Sequence, residues 1–113
     1  MDANIFVLGD SSIAGDMPKS AFSANSQAKV VAMIVRGELT KARTFPARYS
    51  NTCWSLIAPD DNVKVGGTYE AADGRIKTAT SFVSQKGEPA ELRKQNYRES
   101  IAWYNSIVSD VFG

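Results

Sequence analysis

Histidine is absent from this 113-residue chain, and cysteine occurs once, at Cys53. The first absence removes the commonest general base, the commonest metal ligand and any Ser-His or Cys-His nucleophile pair. The second leaves no disulfide within the chain and no thiolate set for zinc or an iron–sulfur cluster. No Cys-x-x-Cys-His occurs, so no c-type haem is attached here. Charge of one sign is also missing. The 13 basic residues against 12 acidic ones leave a net charge of +1, which gives no strong pull toward nucleic acid or a membrane surface. No apolar run approaches the roughly 20 residues of a spanning helix, and the N-terminus lacks the basic segment and apolar core of a secretory signal. Self-contained hydrolytic or metal chemistry is therefore not expected. A borrowed cofactor is the natural route to activity.

What is present reads as one ordinary α+β domain's worth of chain. The apolar run Ile5-Phe6-Val7-Leu8 ends in Gly9-Asp10, which predicts a buried strand over Asn4–Leu8 stopped by a turn. A polar loop leads to Pro18, which suits a first helical turn, with Ser20 or Ser23 as caps. Ala28, Val31, Ala32 and Val35 recur at helical spacing beside Ile34, so a helix from about Phe22 to Arg36 is expected, with Gly37 as its C-cap. A strand ending in Gly-Asp, then a loop, then a helix is an arrangement that grips the ribityl and pyrophosphate part of FAD in many flavoproteins. Such a segment normally closes a large cofactor domain. Here it opens the chain, so a C-terminal piece of a larger flavoenzyme is expected.

Residues 38–50 are polar and basic around Pro46 and read as a linker, with Lys41, Arg43 and Arg48 on a solvated face. Three strands should follow: Thr52–Ala58, Val63–Ala72 and Arg75–Ser84. The turn clusters Pro59-Asp60-Asp61-Asn62 and Asp73-Gly74 separate them, and Gly66-Gly67 marks a bulge or close backbone approach. The result is a three-stranded antiparallel meander. Glu88-Pro89-Ala90-Glu91 opens a final helix. Its stripe Tyr97, Ile101, Tyr104, Val108 and Val111 should cover the sheet, with Trp103 projecting from the stripe's edge.

Three blocks of residues then carry a family resemblance. They are Gly9-Asp10 with Met17-Pro18-Lys19-Ser20 and Ser23-Ala24-Asn25-Ser26-Gln27; Asn51-Thr52-Cys53-Trp54-Ser55-Leu56; and Ala102-Trp103-Tyr104 with the ending Asp110-Val111-Phe112-Gly113. Together they resemble the C-terminal part of the flavoprotein subunit of flavocytochrome c sulfide dehydrogenase, across essentially the whole chain. The first looks like the family's second FAD-contacting segment, the second like its redox-cysteine segment, the third like its terminal helix. The related sulfide–quinone oxidoreductases share the first block but resemble the others less. Two parts of the family pattern are absent: the glycine-rich fingerprint for the ADP half of FAD, and the second redox cysteine. Trp54 stands where the family more often has tyrosine.

The resemblance implies roles residue by residue. Cys53 would be one half of a redox disulfide near the flavin, whose attack by sulfide gives a persulfide and passes electrons to FAD; on its own, a strand cysteine reads as a small buried hydrophobe. Gly9, Asp10, Pro18, Lys19, Ser20, Thr52 and Trp103 would contact the cofactor. Asp10 could accept a ribityl hydroxyl or simply cap its turn. Lys19 and the helix N-terminus could stabilise the negative charge of reduced flavin, or Lys19 could be a solvated loop lysine. Trp103 could wall the flavin pocket, lie between flavin and haem subunit, or pack in a core or dimer. Gln27 reads as an exposed helical glutamine.

The expected organisation is residues 1–40 as the end of an FAD-binding domain and 41–113 as a small flavin-binding lobe. The implied partners are sulfide and a c-type cytochrome subunit, with no nucleic acid, no membrane span and no metal. The implied compartment is the periplasm, where a disulfide persists. Alone, the chain is expected to be inactive, lacking the second thiol. A cofactor-free interaction or dimerisation module and a quinone-reducing flavoenzyme are the alternatives.

Overall fold

The computed structural model describes Asp2 and residues 4–113. Its elements run α1 (Ala21–Thr40), β1 (Arg48–Ala58), β2 (Asp61–Ala72), β3 (Arg75–Val83) and α2 (Ala90–Phe112). The three strands form one sheet in the order β1-β2-β3, the expected meander. Its turns have clear local causes. Asp60 has φ 61°, and Asp73 and Gly74 have φ 53° and 73°, the paired positive values of the hairpin turn that Asp-Gly favours. At Gly67, within the buried part of β2, a Cβ would lie 2.3 Å from the Thr80 carbonyl oxygen. That is the close approach the Gly-Gly pair foreshadows.

The chain divides into two compact units, one of residues 1–51 and 67–81, the other of 52–66 and 82–113. In the first, Ser20 caps α1, its oxygen accepting the Ser23 N–H at 3.0 Å. The helix runs past the expected end. Gly37 lies inside it, and the cap is Lys41 in left-handed conformation. Gly37 instead makes room for the returning chain, since a Cβ would meet Thr44 Cγ2 at 2.3 Å. The inward face of α1 is Ser23, Gln27 and Val30 rather than the expected Val31 and Val35 stripe. Residues 4–8 form no strand, and Ile5 and Val7 are 60% and 58% exposed. A strand needs a hydrogen-bonded neighbour, and this segment pairs with none of the three described strands.

In the second unit α2 is turned from the sequence expectation, with Tyr97 alone of the stripe half-buried. Ile101, Tyr104 and Val111 are 47%, 61% and 63% exposed, whereas Asn96 is 1% exposed and Trp103 is half-buried. A polar seam faces inward. Asn62 Nδ2 donates to Ser100 Oγ (3.1 Å), and Asn96 Nδ2 donates to the Asn62 carbonyl (3.3 Å). Ion pairs Arg93–Asp61 (2.7 Å), Lys94–Asp60 (3.3 Å) and Lys64–Glu99 (2.5 Å) flank it. Each part-exposed pair is worth about 0–1 kcal/mol, but all three select the same helix rotation. The seam and pairs go with that rotation, and it leaves Ile101, Tyr104 and Val111 outward.

Candidate functional site

The loop after Gly9 is built from backbone freedom and long-range clamps. Gly9 has φ 79°, which a side chain would disfavour. Its N–H donates to Gln27 Oε1 at 2.8 Å, and Ser12 Oγ returns to its carbonyl at 2.8 Å. The same Gln27 amide directs Nε2 at Met17 Sδ, 3.7 Å away. At the loop's far end Asp16 is held by the Thr78 N–H (3.0 Å) and the Arg75 guanidinium (2.8 Å), while its own N–H donates to the Ile76 carbonyl (3.0 Å). The Thr78 amide above all, with Arg75 adding to it, holds the Asp16 carboxyl below its ordinary value.

Two hollows open beside this loop, both within the first unit. The smaller, about 130 Å³, is lined by Gly9, Asp10, Ser12, Pro18, Lys19 and Gln27 among others. It has the size of a few waters, enough for a ribityl or phosphate segment and too small for a whole dinucleotide. The larger, about 380 Å³, has apolar walls from Val7, Leu8, Ile13, Val31 and Ile76 with Tyr49 beside them. That volume is at the lower end of small-molecule sites. Burial pushes the Tyr49 phenol up.

Of the residues singled out in the sequence, Gly9, Asp10, Pro18 and Lys19 therefore meet around one hollow. Ser20 stands next to them as the cap of α1. Its hydroxyl donates to Asn51 Oδ1 at 2.6 Å, as Ser23 does at 3.1 Å, so Ser20 presents a helix terminus more than a spare O–H. Thr52, Cys53 and Trp103 belong to the second unit. Thr52 and Cys53 are half-buried on β1. Alternation along the strand turns Cys53 to the face opposite Trp54. The Trp54 and Trp103 rings lie 6.0 Å apart at 34°, a favourable aromatic spacing. Lys41, Arg43 and Arg48 are exposed, Arg48 reaching Glu70 at 3.8 Å and Arg43 lying over the Phe45 ring.

Sequence reading placed Gln27 in the first block but expected it solvated, and it missed Asp16 and Arg75. Gln27 is 6% exposed, against the expectation of a solvated glutamine. Its spacing of four after Ser23 and three before Val30 was the available signal. Arg75 lies 59 positions from Asp16, and no local pattern announces such a pair.

Among the described residues no group of His, Cys, Asp and Glu could hold a metal, and no helix is long and apolar enough to cross a membrane. Gly9, Asp10 and Lys19 thus share one hollow with the first turn of the capped helix α1. The family model for the flavin-binding part of flavocytochrome c sulphide dehydrogenase matches residues 45–112. The chain belongs to that family. The matched span includes Thr52, Cys53 and Trp103, and the hollow's residues precede it.

Proposed function

We propose that this chain forms part of the flavin pocket of an FAD-dependent sulfide dehydrogenase. The observation that carries the reading is the match to a flavin-binding family over β1, β2, β3 and α2. The smaller hollow supports it, because it brings Asp10 and Lys19 together in a space of the size of a ribityl or phosphate segment. Asp10 would accept a ribityl hydroxyl, and Lys19 with the N-terminus of α1 would offset negative charge. When bound, FAD supplies the two-electron chemistry this chain's own side chains lack. Cys53 would contribute one thiol of a redox pair. The second thiol must come from outside the 113 residues, so the chain alone would not turn over sulfide. Electrons from sulfide would leave for a c-type cytochrome, in the periplasm, where a disulfide persists.

The test is an amide-resolved NMR titration of the chain with FAD. Shifts at Gly9, Asp10 and Lys19, and at the Trp103 indole, with a dissociation constant of about 1 mM or tighter, are expected. No shift at any of them in millimolar FAD would overturn the reading. The exposed stripe of α2 favours a second reading, a cofactor-free association module. Concentration-dependent dimerisation in sedimentation, without any FAD response, would establish that one instead.

A further inference from the structure

Gln27 lines both hollows and ties together the two ends of the loop between them. Its Oε1 accepts the Gly9 N–H where the loop begins, and its Nε2 points at the Met17 sulfur where the loop ends. The two contacts fix which way the amide faces, since only Oε1 can accept from an N–H. Gln27 and Met17 are each 6% exposed, so water competes little for this bond. The corner it holds carries Asp10, which borders the smaller hollow.

We infer that Gln27 is a positioning residue for the flavin: it fixes the Gly9 corner so that Asp10 meets the cofactor already oriented. The inference rests on the reading that this hollow takes the ribityl and phosphate part of FAD. A corner held before binding lowers the ordering cost on binding. Gln27 touches no reacting atom in this role. Its effect passes through Gly9 and Asp10.

The test compares wild type, Gln27→Leu and Gln27→Glu in the full chain by amide hydrogen exchange and FAD titration. Leucine keeps much of the volume and removes the acceptor; glutamate keeps the acceptor. In Gln27→Leu the Gly9 amide should exchange about tenfold faster and FAD should bind about tenfold more weakly, while the Tyr69 amide in the core stays protected. Gln27→Glu should restore Gly9 protection. Unchanged Gly9 exchange in Gln27→Leu, or faster exchange with unchanged FAD affinity, overturns the inference. If Gln27→Leu fails to fold, Gln27→Glu decides: a folded glutamate variant that loses Gly9 protection also overturns it. If wild type shows no response to FAD while Gly9 exchange responds as stated, the flavin reading has failed and the corner-holding contact stands.

Discussion

Replacing Gly15 with alanine tests whether the loop before α1 is clamped as described. Gly15 has φ 60°, and an added Cβ would lie 2.1 Å from the Ile76 carbonyl oxygen. The left-handed conformation alone costs an alanine about 1 kcal/mol. The contact cannot persist, because it is more than 1 Å inside any normal approach, so the chain must draw back from β3. Doing so strains the Asp16 N–H bond to Ile76 (3.0 Å) and the Asp16 contacts with Thr78 (3.0 Å) and Arg75 (2.8 Å). Losing one or two such bonds adds about 2 kcal/mol, for a total near 3 kcal/mol. Gly74→Ala is the control: φ is 73° there, but nothing lies within 4 Å of the added carbon. It should cost about 1 kcal/mol. At roughly 4 °C per kcal/mol for a domain of this size, thermal unfolding should fall by about 12 °C and 4 °C respectively. If the loop detaches locally, the first shift shrinks, but the Thr78 amide then loses hydrogen-exchange protection. Equal midpoints for the two variants, with Thr78 protected in both, would refute the clamp.

Three other outcomes follow from the same contacts. Asn96→Asp places a carboxylate at a site 1% exposed and removes the donor to the Asn62 carbonyl; it should cost about 3–5 kcal/mol at pH 7 in urea unfolding, against about 1–2 kcal/mol for Asn96→Leu, and equal costs would sink the polar-seam account. Asp16 is held below its ordinary value by Thr78 first and Arg75 next, so its contribution is complete above about pH 4 and is lost as pH falls through the lower folded value; the Thr78 amide should lose protection there in wild type, while an Asp16→Asn chain shows no such step. Trp103→Ala should cost about 3 kcal/mol, while Tyr104→Gln on the outward stripe stays within about 0.5 kcal/mol; the reverse ranking in chemical denaturation would restore the helix rotation expected from periodicity.

The elements legible in the sequence are those whose causes are local. Asp73-Gly74 specifies a hairpin by backbone conformation alone, and Ser20 marks the start of α1 by capping three residues on. The meander and both helices follow from such signals. The grouping of Gly9, Asp10 and Lys19 around a hollow was also legible, because they sit on one loop feeding one helix. What could not be read were facts with distant partners. Gln27 looks like any helical glutamine until Gly9 folds back onto it, and Gly37 looks like a helix terminus until Thr44 comes alongside. The Asn4–Leu8 run carries the composition of a strand but joins none of the described strands.

The orientation of α2 shows most directly why apolar periodicity can fail. A stripe at spacings of three and four says that one face is apolar; it does not say that this chain supplies what covers it. The choice of face is made around the start of β2, where Asp60, Asp61, Asn62 and Lys64 take Lys94, Arg93, Ser100 and Glu99 of the helix as partners. Turning the stripe fully inward would draw the Asn62 and Asn96 amides apart and displace Glu99 from Lys64, in return for burying Ile101, Tyr104 and Val111. With a few apolar side chains worth about 2 kcal/mol each, the polar seam prevails only if it is largely satisfied where it stands. Asn62 and Asn96 each keep an Oδ1 without a hydrogen-bond partner. That leaves the balance close, and it makes the Asn96 substitutions the most sensitive probe of which face the helix would choose.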